Sequence, residues 1–509
     1  MKSFSHLINW LSREKAFAKF LRRYSAPLVF PEQKGECWCV VQPWLHSAVP
    51  WFVITVALGL SQREWRVRVV WDDTGFGPNT ISQRMVQGSI SRVLKKLPHS
   101  IRQTWLSKVL PAEDGLLSKE RLQCLVNLNT VWRYRCESPP PSSMTYSKSV
   151  EESLRRTDRK IKTLVHQHSP KMVFVPGGIY GSSGLFMELR RLGIRVATFD
   201  SGPGILLACT DGIAAHLDDI PTAFQLLSIS DDWVVTAAQS ELERRKKGSA
   251  SESHKRDPLV CQATSATGRG EPVGILMPLN QSYDAAALGK HRVFKGQTEW
   301  MLETVAWSLE NTNLPIVVRR HPVERIKEYT SLDDYRAILS AKFGQDIRIR
   351  YVSEDTPINT YDLINNARVI VPYTSTVGVE AAAMGKPVVT ESNSYYADLG
   401  FVWSAKTHDQ YFKLLTLALE GNLTVDETKR HDAWKCYYLT QCCNFVYSLF
   451  TPMPEDYDKW VRMNPAELFS MPEVSDVIES LDAHLPLAIV RHNRLRRQRQ
   501  SETLQRIEK

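Results

Sequence analysis

Two apolar rhythms alternate along this chain. Short apolar runs, unbroken or at every second residue, have the pattern of strands, and longer stretches with apolar residues at helical spacing follow them. Residues 37–42 form the first short run, 43–47 a loop and about 48–60 a helix. Residues 66–71 then alternate, with Val67 and Val69 on one side and Arg66 and Arg68 on the other. A second series starts with the apolar strand 172–176, turns through Gly177-Gly178 and Gly181-Ser182-Ser183-Gly184, continues as a helix over 185–192 and returns as a strand at 195–199. A third has strands at 274–278, 315–319, 346–351, 369–372 and 387–390, with a helix over about 298–310. Strand–helix–strand alternation of this kind predicts parallel sheets and an α/β fold.

Punctuation divides the chain further. Three prolines at 139–141 break two helical stretches. Residues 244–271 are charged and rich in Ser and Gly, containing Arg245-Lys246-Lys247-Gly248-Ser249, and read as a linker or insertion. The expected organisation is a basic N-terminal arm at 1–36, an α/β domain at 37–243, the linker at 244–271, a second α/β domain at 272–426 and a helical C-terminal extension at 427–509. In the arm, Lys15, Lys19, Arg22 and Arg23 interleave with Phe17, Phe20 and Leu21, which suits either an anionic membrane surface or packing on a domain. The arginines at 491, 494, 496, 497 and 499 read as a solvated helix face or a lipid contact.

Composition narrows the class. With 43% hydrophobic and 23% charged residues the 509-residue chain is of ordinary globular make-up. Its net charge of +9 is modest, and without a recognisable nucleic-acid-binding signature no nucleic-acid partner is expected. Nine scattered cysteines, with no CxxC pair, read as reduced thiols rather than a disulfide framework or zinc site. No secretory leader is expected, because the apolar patch at 6–11 is interrupted at Arg13-Glu14-Lys15. The longest apolar stretch, 51–60, is about half of the ~20 residues that span a bilayer. A cytoplasmic protein is expected.

Three segments carry chemistry. In Tyr373-Thr374-Ser375-Thr376-Val377-Gly378-Val379-Glu380 an apolar strand meets a hydroxyl-rich turn and then a helix of small residues. Ser375 or Thr376 suits an N-cap, and the free N–H groups there favour a phosphate. Glu380 lies one turn deeper, where it can accept hydrogen bonds from ribose hydroxyls; ordinary capping with a surface glutamate is the plainer reading. In Val317-Val318-Arg319-Arg320-His321-Pro322 a strand runs into three potential cations, and Pro322 forces a turn. His321 then stands at a strand's carboxyl edge, where α/β sheets bind ligands. It can hydrogen-bond a phosphate or act as an acid toward one. In Thr198-Phe199-Asp200-Ser201-Gly202 a strand ends in a carboxylate suited to a general base or to a plain Asx turn. Asp72-Asp73 is a rival for the base.

The stretch 374–387, with His321-Pro322 before it, resembles the donor-binding half of GT-B glycosyltransferases, above all bacterial capsule and surface-polysaccharide biosynthesis proteins. Met277-Pro278-Leu279-Asn280 and Tyr283-Asp284-Ala285-Ala286 fit the same group. The resemblance covers about 272–395 and, more weakly, 172–220. The pattern is also similar to bacterial sialyltransferases and Kdo transferases. It implies two Rossmann-like domains facing across a cleft, with a helical C-terminal extension. It implies Asp200 as base, His321 as phosphate ligand or acid, and Ser375 and Thr376 as the phosphate cradle; the residues themselves add Arg319, Arg320, Thr374 and Glu380 to the expected donor site. Here the sequence reads Asp-Ser-Gly where that pattern has two acids before glycine. No metal and no cofactor are implied. The expected partners are a nucleotide-sugar donor and a glycan or lipid-linked glycan acceptor, met at the inner face of the plasma membrane through the basic termini. A polyol-phosphate transferase of the teichoic-acid type, a nucleotide-sugar epimerase and a non-catalytic subunit of a polysaccharide-assembly complex are the competing expectations.

Overall fold

A computed structural model of the chain describes residues 2–24, 34–44, 47–74, 81–202, 205–228, 232–247, 272–447 and 462–507. It folds as two compact α/β units. The first contains residues 1–129, 144–219 and 444–509; the second contains 130–143 and 220–443.

Unit 1 is built on the strands β1 (Glu36–Val41), β2 (Arg66–Trp71), β3 (Arg102–Trp105), β4 (Met172–Pro176), β5 (Arg195–Gly202) and β6 (Ile205–Cys209). Strands β3-β2-β1-β4-β5 are parallel, and that order is the Rossmann order, reversing direction between β1 and β4. β6 folds back antiparallel on β5, and the two-residue strand Val446–Tyr447 pairs antiparallel with β6. β1 and β4 are buried along their whole length, which is why their sequences are nearly continuous apolar runs.

The helix Val49–Ser61 is buried on every side, a pattern that requires cover from both faces. The sheet covers one side. The N-terminal helix Lys2–Arg23 covers another, with the Phe17 ring 5.2 Å from that of Trp51. The C-terminal helix Pro472–Ala483 fits so closely that a Cβ on Gly59 would lie 2.2 Å from Ile478 Cδ1. Leu468, Val477, Ile478 and Leu481 from the C-terminal helices thus complete the core of unit 1, while the helix Glu427–Tyr437 belongs to unit 2. In the N-terminal arm Phe17, Phe20 and Leu21 all lie in this core, so they do not face a membrane. Among the described residues no helix is long and apolar enough to cross a membrane.

Unit 2 contains a fully parallel sheet of β7 (Val273–Pro278), β8 (Ile316–Arg319), β9 (Ile349–Val352) and β10 (Ala367–Ile370). The order is β10-β7-β8-β9, which again reverses direction beside its first strand. Trp300, Met301 and Val305 of the helix Gln297–Asn311 pack on the sheet in one core with Ile275, Met277 and Val318. Residues 244–246, expected in the linker, end the helix Asp232–Lys246 of this unit. The rest of the expected linker, 248–271, lies outside the described residues.

Candidate functional site

The carboxyl ends of β7, β8 and β10 converge where the strand order of unit 2 reverses, the place where open α/β sheets bind ligands. A pocket opens there. Its walls include Pro278 and Leu279 after β7, Arg319 to Pro322 after β8, and Ser375 to Val377 after β10. The Arg-Arg-His end of one strand and the hydroxyl-rich turn of another, some 55 residues apart, therefore face one cavity. Asn280, just after β7, ties that strand's end to the turn after β10 by accepting a 3.2 Å hydrogen bond from the Thr374 N–H.

Arg319 ends β8 and is only 4% exposed. One of its Nη atoms donates to the Ser353 carbonyl, and the other to the Ile358 carbonyl at 3.5 Å. Its buried Nε has no protein partner. Burial lowers the guanidinium pKa to about 10, which leaves it charged at neutral pH. A buried cationic N–H without an acceptor is costly, and an anion in the pocket would supply the acceptor.

Arg320 is differently occupied. Its Nε and Nη2 both donate to one carboxylate oxygen of Glu324, and Nη2 also reaches the Ser331 carbonyl. Burial works against its charge, but Glu324 outweighs that and raises its pKa. Arg320 lines the pocket, and its hydrogen bonds hold the loop after β8.

His321 caps a short 3₁₀ turn, with Nδ1 accepting from the Val323 N–H at 3.3 Å. That bond leaves the ring proton on Nε2. Burial and the nearby Arg319 push its pKa down to about 4, so the ring is neutral at physiological pH. It can donate a hydrogen bond but carries no charge at neutral pH.

In the turn after β10 the capping bond falls to Ser375 and not to Thr376. Thr376 already has helical angles (φ −57°, ψ −19°) and makes no capping bond, while Ser375 Oγ accepts from the Val377 N–H at 3.3 Å. Both line the pocket. Thr374 does not; its Oγ1 is buried without a partner behind the wall. The following helix, Val377–Ala383, is only seven residues long. Gly378 in it lies against Tyr396, whose hydroxyl donates to the Ser375 carbonyl at 2.9 Å and so fixes the turn.

Glu380 is 3% exposed on the pocket wall, and its Oε1 accepts no hydrogen bond. Burial raises its pKa, opposed by Arg245, whose Nε is 3.8 Å from that oxygen, and by the Tyr361 hydroxyl.

The carboxylates expected as bases lie in unit 1. Asp200 is not at a strand end: β5 continues past it to Gly202 as one arm of the antiparallel β5–β6 hairpin, with Asp200 opposite Leu207. It accepts from the Ser201 N–H at 2.7 Å. Asp72, at the end of β2, is 2% exposed and accepts from the Ser182 hydroxyl and from Thr74; burial raises its pKa. Asp73 accepts from the Ser107 N–H and hydroxyl.

The comparisons with known proteins bear on the same unit. Residues 250–416, a third of the chain, match the family model "Capsule polysaccharide biosynthesis protein". This chain is similar to capsule-synthesis proteins. No curated protein matches it. Among solved structures it is similar to two transferases of KpsC from Thermosulfurimonas dismutans. The β-Kdo 2,7 transferase is 18% identical over 55% of this chain and 90% of that one, at a TM-score of 0.32. The β-Kdo 2,4 transferase is 14% identical over 52% and 87%, at 0.33. The UDP-GlcNAc 2-epimerase of Methanocaldococcus jannaschii, in complex with UDP-GlcNAc and UDP, is 12% identical over 84% and 98%, at 0.27.

Every pocket-lining residue except Arg245 falls within the capsule-type segment. Arg245 is also the residue that sequence reasoning missed most clearly. It sits in a run of charge that reads as a solvated linker, and only its arrival beside Glu380 at the end of Asp232–Lys246 marks it as part of the wall. Tyr361 and Asn359, from the turn and helix before β10, carried no sequence signal at all.

Proposed function

We propose that unit 2 holds the phosphate of a nucleotide sugar at Arg319, His321, Ser375 and Thr376, and that the protein transfers the sugar to a hydroxyl of a growing capsule-type polysaccharide. The observation that carries this reading is the buried Arg319 Nε, charged and without a protein acceptor in a pocket that also presents an imidazole N–H and two hydroxyls. The capsule-type family match over the same segment supports it.

In the proposed reaction the acceptor hydroxyl gives its proton to Asp200, and its oxygen bonds to the anomeric carbon of the sugar. The bond from that carbon to the phosphate oxygen breaks, and the electron pair leaves on the phosphate. Preformed donors aimed at developing charge are a large catalytic contribution. Arg319 supplies the fixed positive charge, while neutral His321 and the two hydroxyls supply hydrogen bonds. Oε1 of Glu380, beside Arg245 but accepting no hydrogen bond from the protein, accepts from a ribose hydroxyl in this reading. Incubating the protein with nucleotide sugars and a capsule oligosaccharide, then identifying the product by mass spectrometry, tests the reading. Sugar transfer is expected, with turnover abolished and nucleotide affinity kept in Asp200→Asn. Full turnover in that variant moves the base role to Asp72 or Asp73; transfer of a polyol phosphate from a nucleotide polyol offered in place of the sugar, or formation of an epimerised donor, replaces the proposed reaction.

A further inference from the structure

The helices of unit 1 distribute charge unevenly. Residues 2–24 carry six basic side chains against one acid, and residues 81–96 carry four against none. Together their surplus equals the +9 of the entire chain. The helices Lys2–Arg23 and Ile81–Leu94 pack side by side: Glu14 of the first accepts from Ser89 Oγ at 2.8 Å and pairs with Arg92 of the second at 2.7 Å. Both turn their apolar sides into one core, where Phe17 and Phe20 meet Val86, Ile90 and Val93. Their outer sides therefore form one continuous face.

That face is basic. Lys15, Lys19 and Arg22 on the first helix and Arg84, Lys95 and Lys96 on the second are all exposed. None of the six is in an ion pair with a described residue. The single acid between the helices, Glu14, is turned inward and already satisfied by Arg92 and Ser89. Ile81, at the start of the second helix, is 73% exposed beside these cations.

We infer that this two-helix face docks unit 1 on an anionic bilayer surface, held by lipid phosphates rather than by inserted side chains. Charge complementarity selects the occupant, since each basic side chain near an anionic leaflet adds a similar increment of attraction. The aliphatic stems of the lysines and the exposed Ile81 suit a headgroup layer. Over residues 11–24 and 81–96 no side chain described as exposed is an aromatic of the kind on which nucleic-acid bases stack. Because Phe17 and Phe20 of the first helix lie in the core, the attachment is electrostatic and reversible, and does not depend on the donor site.

Co-sedimentation of the full chain with phosphatidylglycerol–phosphatidylcholine vesicles, compared with pure phosphatidylcholine, tests this. Binding to the mixed vesicles alone is expected, and it should disappear in about 1 M salt, where the Debye length is about 3 Å. Replacing Lys15, Lys19, Lys95 and Lys96 together by Gln should weaken partitioning at least about a hundredfold. The four positions are exposed, so an unchanged thermal melt is expected to accompany that loss; the corresponding Glu variant should abolish binding. Equal binding to neutral vesicles, no binding to anionic ones, or unchanged partitioning of the folded Gln variant overturns the inference. So does preferential capture by an RNA homopolymer in competition with the vesicles.

Discussion

Arg320 donates twice to Glu324, a carboxylate only 1% exposed, whereas its neighbour Arg319 keeps a buried Nε without any acceptor. Replacing the two arginines should therefore have opposite signatures. Arg320→Met leaves the Glu324 charge buried and uncompensated, which costs about 3–5 kcal/mol, read by urea unfolding. A loss of nucleotide affinity without loss of stability in that variant would instead make Arg320 a ligand contact. His321 gives a pH signature. Its folded pKa of about 4 lies below the ordinary histidine value, so between the two the unfolded chain binds more protons. Its contribution to stability is fully present at neutral pH and is lost as pH falls from the ordinary value toward 4. His321→Gln should remove on the order of 2 kcal/mol of the acid destabilisation between pH 7 and 4.5. Parallel stability–pH curves for variant and parent would contradict the enclosed, neutral ring.

At the scale of elements, the turn after β10 depends on a close approach that only glycine permits. A Cβ at Gly378 would lie 2.5 Å from the Tyr396 hydroxyl oxygen, and that hydroxyl holds the Ser375 carbonyl. Gly378→Ala should cost about 1–3 kcal/mol of stability and also weaken nucleotide binding, because Tyr396 must move and release the turn. An alanine variant with parental affinity would show that the turn does not need this brace. The same elements show what the sequence made legible. Apolar runs located β1, β2, β4, β7 and β8 closely, because strands buried on both faces leave little choice of residue type. The hairpin after Asp200 was not legible. Its turn residues were visible, but the apolar run at 205–209 pairs back on β5 only in the fold. Of the two N-cap candidates, Ser375 makes the capping bond, to the Val377 N–H, whereas Thr376 is already drawn into the helix and lines the pocket.

For the whole molecule, the division of the chain into units is where local pattern had least to say. The C-terminal residues 444–509 return to cover the helix Val49–Ser61, and that need is recorded only in a helix apolar on every side. Arg245 likewise reads as a solvated charge run until the fold sets it against Glu380. By contrast, the meeting of Arg319–His321 with Ser375–Thr376 in one pocket follows from a topology that brings the ends of β8 and β10 to the same sheet edge. Whether that pocket binds a nucleotide phosphate is the claim on which the functional reading stands. Calorimetric titration of uridine, cytidine and guanosine nucleotides into the parent chain and into Arg319→Gln tests it most directly. The account predicts that at least one nucleotide binds the parent and that the variant, still folded, binds it about 10- to 100-fold more weakly, the loss of one charge-assisted hydrogen bond. Absence of binding by every nucleotide, or equal binding by parent and variant, would contradict it.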